Sequence, residues 1–416
     1  MNRTVVLALL VSAAVTGSVL AWYSARQARE YRRLIAVGDE ALAREQASQA
    51  LEAYSGAVAI QPQSMLAYLK RGDTYRRRGD LAAAVRDLRQ AAALDPSSTR
   101  VLELLGDVNV QLGRYDRAAE HYARFTTLDD RSPRVLYKLA LTRFRHGQVA
   151  EAIDPLRQAI GMDDRFSEAH HLLGLCLRAR KRNPEAIRAF RRALAVNPAF
   201  VVARADLADL YQQLGRHREA IEQLEAIAAL EPSRPERLVD VALAYARLGR
   251  TEAAITTLGR AAERYPEEPV VYTAIGRVWL ESAEQRADRV ALSKALEALQ
   301  TAASRGNASA ETRALYGRAL FLDGQVDSAL RMLREATTAR PVEPDAFLWL
   351  AAACERFGDI AAAQQALSDY GHLVEERPLD ALQAAVADVL RLQLRLRPAG
   401  PVPPRASRPA GRLPGR

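Results

Sequence analysis

The stretch KRGDTYRRRGDLAAAVRDLRQAAALDP, Lys70–Pro96, decides the fold. It holds a small residue at Gly72, a second glycine at Gly79, an alanine at Ala84, a large apolar residue at Leu88 and a closing proline at Pro96. It also contains Arg-Gly-Asp twice, at Arg71–Asp73 and Arg78–Asp80, which on an exposed loop would read as an adhesion signal. Stepping outward at one constant interval accounts for the glycines differently. Small residues recur in even steps at Gly38, Gly72, Gly106, Ala140, Gly174, Ala208, Ala242 and Gly276. Twelve residues after the first seven stands alanine (Ala50, Ala84, Ala118, Ala152, Ala186, Ala220, Ala254). Four further on is a large apolar side chain: Tyr54, Leu88, Tyr122, Leu156, Phe190, Leu224 and Leu258. A fixed period of this length marks an array of supersecondary units, each unable to bury its apolar face alone.

Each unit reads as two antiparallel helices. They approach closely only where facing side chains are small, which the recurring glycine and alanine supply, and bulkier neighbours fill the surrounding grooves. A turn glycine recurs at Gly79, Gly113, Gly147, Gly215 and Gly249, where a left-handed residue ends the first helix. Pro62, Pro96, Pro198, Pro232 and Pro266 stop the second. Gly72 therefore belongs inside a helix, Gly79 in a turn, and Arg71 and Arg78 merely precede them. An adhesion role is not expected.

This pattern resembles the tetratricopeptide repeat family, whose two-helix unit has small residues at its eighth and twentieth positions and proline near its end. The resemblance implies an all-α solenoid, a right-handed superhelix of about ten hairpins over residues 26–377. The ninth and tenth repeats, with Gly317/Ala329 and Ala351/Ala363, are shifted. Between Gly276 and Ala295 lie seven extra residues, about two helical turns, so a longer eighth hairpin with an insertion near 277–294 is expected. PLDALQAAVADVLRLQLRLRP is amphipathic and would cap the array over 378–397, since a terminal repeat leaves an apolar face open. The Pro/Arg-rich tail 398–416 has few large apolar residues and is expected to be disordered.

Thr4 to Ala25 carries no charge, and Trp22 and Tyr23 close the run. That length suits a membrane span or a long secretory signal cut after Ala21. The expectation is a bacterial protein anchored in the inner membrane by residues 1–25. Arg26, Arg29, Arg32 and Arg33 favour a cytoplasmic repeat domain. An exported, periplasmic array is the alternative. The layout also resembles bacterial envelope adaptors that help regulate lipopolysaccharide synthesis, but those end in a cysteine-paired zinc module, and this chain ends in PVPPRASRPAGRLPGR.

The net charge of +9 does not make a nucleic-acid surface. Residues 1–33 and 405–416 each carry +4, leaving +1 for the whole stretch between them, whereas phosphate neutralisation needs a basic stripe on the folded body. Cys176 and Cys354 read as two buried thiols. No phosphate loop, nucleophile elbow or metal-spaced His/Cys set occurs. Histidines 121, 146, 170, 171, 217 and 372 read as surface or groove residues. The chain is expected to be non-catalytic, with no cofactor, metal, nucleic acid or small-molecule substrate. A protein or peptide partner is expected instead; an accessory role to a transferase is a further alternative.

In the family, the first helix of each unit lines the concave face through positions two, five, nine, twelve and thirteen. By register this implies Asp73 and Arg77 in the second repeat (with Arg76), and Arg100 and Asp107 in the third. The fourth offers Arg134, Tyr137 and Phe144 with neighbouring Lys138, and the fifth His171 and Arg178. Arginine and aromatic side chains carry most hot-spot energy at interfaces. Family members that grip a terminal carboxylate use Lys and Asn at positions five and nine. Here those pairs are Ile35/Asp39, Leu69/Asp73, Glu103/Asp107 and Tyr137/Leu141, so that subtype is not expected.

Overall fold

The structure is a computed structural model and describes residues 3–305, 308–339, 341, 343–373, 385–391 and 393, with side chains from residue 15 onward. Helices follow one another, and there is no strand among the described residues. Two compact bodies, Met1–Ala203 and Arg204–Arg416, are distinguished.

The first body contains five hairpins: α1 (Arg3–Ala43) with α2 (Ala47–Ile60), α3 (Met65–Arg78) with α4 (Leu81–Leu94), α5 (Thr99–Gln111) with α6 (Tyr115–Leu128), α7 (Pro133–Arg145) with α8 (Val149–Met162), and α9 (Ser167–Ala179) with α10 (Asn183–Val196). The division falls within α11 (Val201–Gln213), which leads into α12 (His217–Leu230); then follow α13 (Pro235–Arg247) and α14 (Thr251–Arg264), α15 (Pro269–Arg286) and α16 (Arg289–Ser304), α17 (Ala310–Asp323) and α18 (Val326–Thr338), and α19 (Pro344–Phe357) and α20 (Ile360–Leu373).

The local signals are physical. Ser64 and Ser132 accept hydrogen bonds from the Ala67 and Val135 amides, at 3.2 and 3.4 Å, satisfying first-turn donors of α3 and α7. Proline starts α13, α15 and α19, where its missing N–H costs nothing. Gly79, at φ 90°, closes α3 in the left-handed region. Three turns put other residues there: Glu45 (φ 61°), Lys181 (φ 58°) and Ala287 (φ 51°). Pro155 lies inside α8 and cannot donate to the Glu151 carbonyl four residues back. The Arg143 guanidinium donates to that carbonyl instead, at 3.0 Å.

The small residue of each first helix sits under the large residue of the second. A Cβ added at Gly38 would lie 2.4 Å from the Tyr54 ring, and one at Gly106 2.4 Å from Tyr122. Gly72 meets Leu88, and Gly174 meets Phe190. In the eighth hairpin, α15 and α16 run 18 and 16 residues against 13 or 14 in the regular hairpins from α3 onward. There Gly276 packs on Leu299, seven residues beyond the regular partner position. Successive hairpins share cores: Leu88 and Ala91 of α4 pack with Val101, Leu104 and Leu105 of α5. Fully burying one such leucine contributes roughly 1.5–3 kcal/mol.

Of the expected capping helix, 378–384, 392 and 394–397 lie outside the described residues, as does the tail 398–416. The described helical stretch 385–391 places Val386 and Val389 in the core cluster of the last three hairpins. Gln393 Nε2 donates to the Phe321 carbonyl of α17 at 2.8 Å.

The inner-membrane anchor expected for residues 1–25, and the side of the membrane inferred from it, are corrected. Among the described residues no helix is long and apolar enough to cross a membrane. α1 runs on from this segment into the first hairpin, where it pairs with α2.

Candidate partner-binding faces

In the first body, the first helices of neighbouring hairpins are stapled by charge. Tyr54 of α2 donates to Asp39 of α1 at 2.6 Å, and Lys70 of α3 reaches the same carboxylate at 2.7 Å. The arrangement repeats two hairpins further on. Tyr122 of α6 donates to Asp107 of α5 at 2.6 Å, and Lys138 of α7 donates to it at 2.8 and 3.1 Å. Lys138 also bonds Glu103 at 2.8 Å, and Arg100 holds the other Glu103 oxygen at 2.9 Å. Burial opposes ionisation of Asp39 and Glu103, but the lysine bonds outweigh it, and both pKa values lie below the ordinary carboxylate range. Burial first, and the carboxylate second, push the Tyr54 and Tyr122 phenols up, so both remain donors.

The residues singled out by register thus separate into groups. Asp73 is buried and accepts from Arg76 at 2.8 and 2.6 Å and from Arg77 at 3.2 Å, a network within α3. Arg100, Asp107 and Lys138 join the α5–α7 network. Tyr137 packs on Phe166, ring centroids 5.0 Å apart. His171 lies between Phe190 and Phe200, at 5.7 and 5.1 Å. Arg134 is exposed, and Phe144 and Arg178 are half-buried. Neighbouring His170 is not a surface residue: it is buried, its Nε2 3.0 Å from the Asp164 carbonyl oxygen. Arg71, read as incidental, grips Asp87 of α4 through two bonds of 2.6 and 2.9 Å. Burial pushes the Cys176 thiol to about 12, which leaves it protonated and inert at neutral pH.

The second body carries a groove instead. A cavity of about 270 Å³ opens between α15, α17 and α19, lined among others by Arg277, Glu281, Glu311, Arg318, Asp345 and Trp349. A neighbouring cavity of about 360 Å³ between α13, α15 and α17 shares Arg277 and Glu311 with it. Arg277 pairs with Glu311, and Arg318 with Glu284. Arg318 also lies over the Trp349 ring, 4.8 Å from its centroid. Both arginines are therefore neutralised by carboxylates. Glu281, Glu343 and Asp345 line the same cavity and carry no ion pair among the described residues. Burial holds Glu284 above the ordinary carboxylate range against the pull of Arg318. Among the described residues, no group of His, Cys, Asp and Glu is placed to hold a metal ion.

Tetratricopeptide repeat profiles match residues 35–98, 69–133, 137–199 and 317–371, and a second set matches 177–238 and 215–278. The chain belongs to the tetratricopeptide repeat family. No curated protein sequence matches it. Among solved structures it is similar to MamA, with 26% identity over 40% of this chain and 92% of that one, and a TM-score of 0.39. It is also similar to YrrB, described as a TPR protein with an unusual peptide-binding site: 20% identity, 45% and 97% coverage, TM-score 0.41. Yeast Tom70 aligns more widely, over 89% of this chain and 96% of that one, at 14% identity and a TM-score of 0.45.

The repeat register contains the signal for the groove that the sequence reading left unused. Positions two and nine of the ninth repeat are Glu311 and Arg318; positions nine and thirteen of the eighth are Arg277 and Glu281; position two of the tenth is Asp345. The same register that nominated residues in the second to fifth repeats nominates these, once the seven-residue shift is applied. The staples were legible as well. Asp follows the small residue at Gly38 and Gly106, and Tyr and Lys stand at fixed offsets from both.

Proposed function

We propose that this chain is a non-catalytic interaction scaffold whose α15–α17–α19 groove takes an extended, basic segment of a protein partner. Membership of the tetratricopeptide repeat family supports protein binding as the general activity. The observation that supports a basic ligand is the charge balance of the groove. Its two arginines are already paired, and Glu281, Glu343 and Asp345 remain as a surplus of negative charge at its wall. An incoming arginine would meet carboxylates with the geometry for two-point hydrogen bonding. In the first body the corresponding charges mostly satisfy one another. Arg134, Tyr137, Phe144, His171 and Arg178 would give that body a secondary contact face of aromatic and basic character.

Fluorescence anisotropy with labelled ten-residue peptides tests the reading. An Arg/Ser peptide is expected to bind at ~10 µM, roughly 7 kcal/mol, and to weaken as salt is raised through the Debye regime. A matched Glu/Ser peptide should not bind. The double variant Glu281→Lys/Asp345→Lys should abolish binding. Equal affinity for both peptides would overturn the ligand class, and undiminished binding by the double variant would overturn the site.

A further inference from the structure

We propose that the arginine-rich C-terminal segment of this chain, residues 405–416, docks in its own α15–α17–α19 groove. This rests on the basic-ligand reading above and adds the identity of one occupant.

Three observations carry it. The first is charge. Residues 394–416 contain Arg395, Arg397, Arg405, Arg408, Arg412 and Arg416 and no acidic residue, while the groove wall has Glu281, Glu343 and Asp345 in surplus. The second is the attachment point. Gln393 is fully buried and bonds the Phe321 carbonyl on α17, the same helix that supplies Glu311 and Arg318 to the groove. Phe321 is one turn from Arg318 and ten residues from Glu311, about 15 Å along a helix. The twelve residues from Gln393 to Arg405 can span up to about 40 Å, so the arginines reach the whole groove. The third is composition. Six prolines in 398–416 favour an extended backbone with three residues per turn. In that conformation Arg405 and Arg408 share a face, as a segment lying along a groove requires.

A short tether makes the local concentration of the tail about millimolar. A tail with a Kd of about 100 µM would then occupy the groove most of the time and weaken an external peptide about tenfold. The groove would thus be self-screened, open only to ligands that displace the tail.

Two measurements on the full-length chain separate this proposal from the reading beneath it. In the first, Arg405, Arg408, Arg412 and Arg416 are all replaced by Ser, and the labelled Arg/Ser peptide is titrated. Binding about tenfold tighter than to the unaltered chain is expected. Unchanged binding leaves the groove reading standing and overturns the docked tail. No binding to either chain sinks the groove reading. In the second, Ser407→Cys is combined with Ala314→Cys in the groove or with Arg331→Cys on the exposed side of α18; the native Cys176 and Cys354 are buried. Oxidative trapping within one chain should be at least about tenfold faster at 314 than at 331, and Glu281→Lys/Asp345→Lys should remove the difference. Equal rates overturn the proposal whatever the peptide does. Trapping at 314 only between two chains overturns it in favour of a second copy as the occupant.

Discussion

The first helices of the two bodies use equivalent repeat positions for opposite ends. In the first body, Asp39 and Asp107 each receive a tyrosine from their own hairpin and a lysine from the next. These carboxylates are held by bonds that tie neighbours together, and the pKa of Asp39 is lowered as a result. In the second body, carboxylates outnumber the arginines of the α15–α17–α19 groove, and Glu284 is held above its ordinary range by burial. In the first body charge fastens repeats to each other; in the second, Arg277–Glu311 and Glu284–Arg318 do the same, and Glu281, Glu343 and Asp345 are left over. A repeat array therefore announces its contact surface less by which residues line the inner helices than by which of them lack a partner.

Breaking the stapled side at its packing should give the largest effect. Gly106→Val would drive a Cβ into the ring of Tyr122, which is 2% exposed and hydrogen-bonded to Asp107, so it cannot swing aside. A loss of about 3 kcal/mol is expected, at the upper end of overpacking costs, read as the shift of a urea midpoint. Next, Lys138→Ala removes the shared donor of Asp107 and Glu103. Its side chain is 25% exposed, so about 1–2 kcal/mol is expected. The loss should shrink when Glu103 is also changed to Gln, and a double-mutant cycle with no coupling would sever the α5–α7 staple.

Acid sharpens the contrast. Asp39 and Glu103 have lowered folded pKa values, so their contribution is complete above the unfolded values of 3.8 and 4.5 and is lost as pH falls through the folded ones. Glu284 and Asp240 have raised folded values, both through burial, so their contribution grows as pH falls through the folded pKa. In a Trp22→Phe variant, fluorescence reports Trp279 and Trp349, both in the second body, while circular dichroism reports all helices. Between pH 5 and 3 the circular dichroism midpoint should fall ahead of the fluorescence midpoint. Coincident shifts would erase the distinction. The smallest effect is expected at the turn where Lys181 adopts φ 58°. Lys181→Gly should stabilise the first body by about 0.5–1 kcal/mol, measured by thermal melting, because glycine carries no Cβ penalty there.

The repeat framework was legible because packing enforces it. Gly38, Gly106 and Gly174 are glycine since an aromatic ring lies on each, so the register is written where a larger residue could not fit. The eighth hairpin broke the offset without breaking the contact: Gly276 finds Leu299, because about two added turns restore the helical phase. The turns at Glu45, Lys181 and Ala287 were silent, as no glycine marks them. Arg71 gave no signal either; only the facing of α3 and α4 shows that Asp87 is within its reach. The apolar composition of 4–25 suggested an anchor, but among the described residues no helix is long and apolar enough to cross a membrane. The groove was readable by register, yet its charge surplus is not. It depends on which arginines pair across successive hairpins, as Arg277–Glu311 and Glu284–Arg318 do.

The two-repeat spacing between the Asp–Tyr–Lys sets also limits how such a gene can shorten. Excising a single repeat module after Tyr54 would bring Leu104 to the place of Lys70 and strand the carboxylate beside its tyrosine. Excising two would bring Lys138 there and restore the junction. Deleting one module is therefore expected to cost the staple and deleting two to keep it, because the ammonium group that closes it reaches across from the next hairpin.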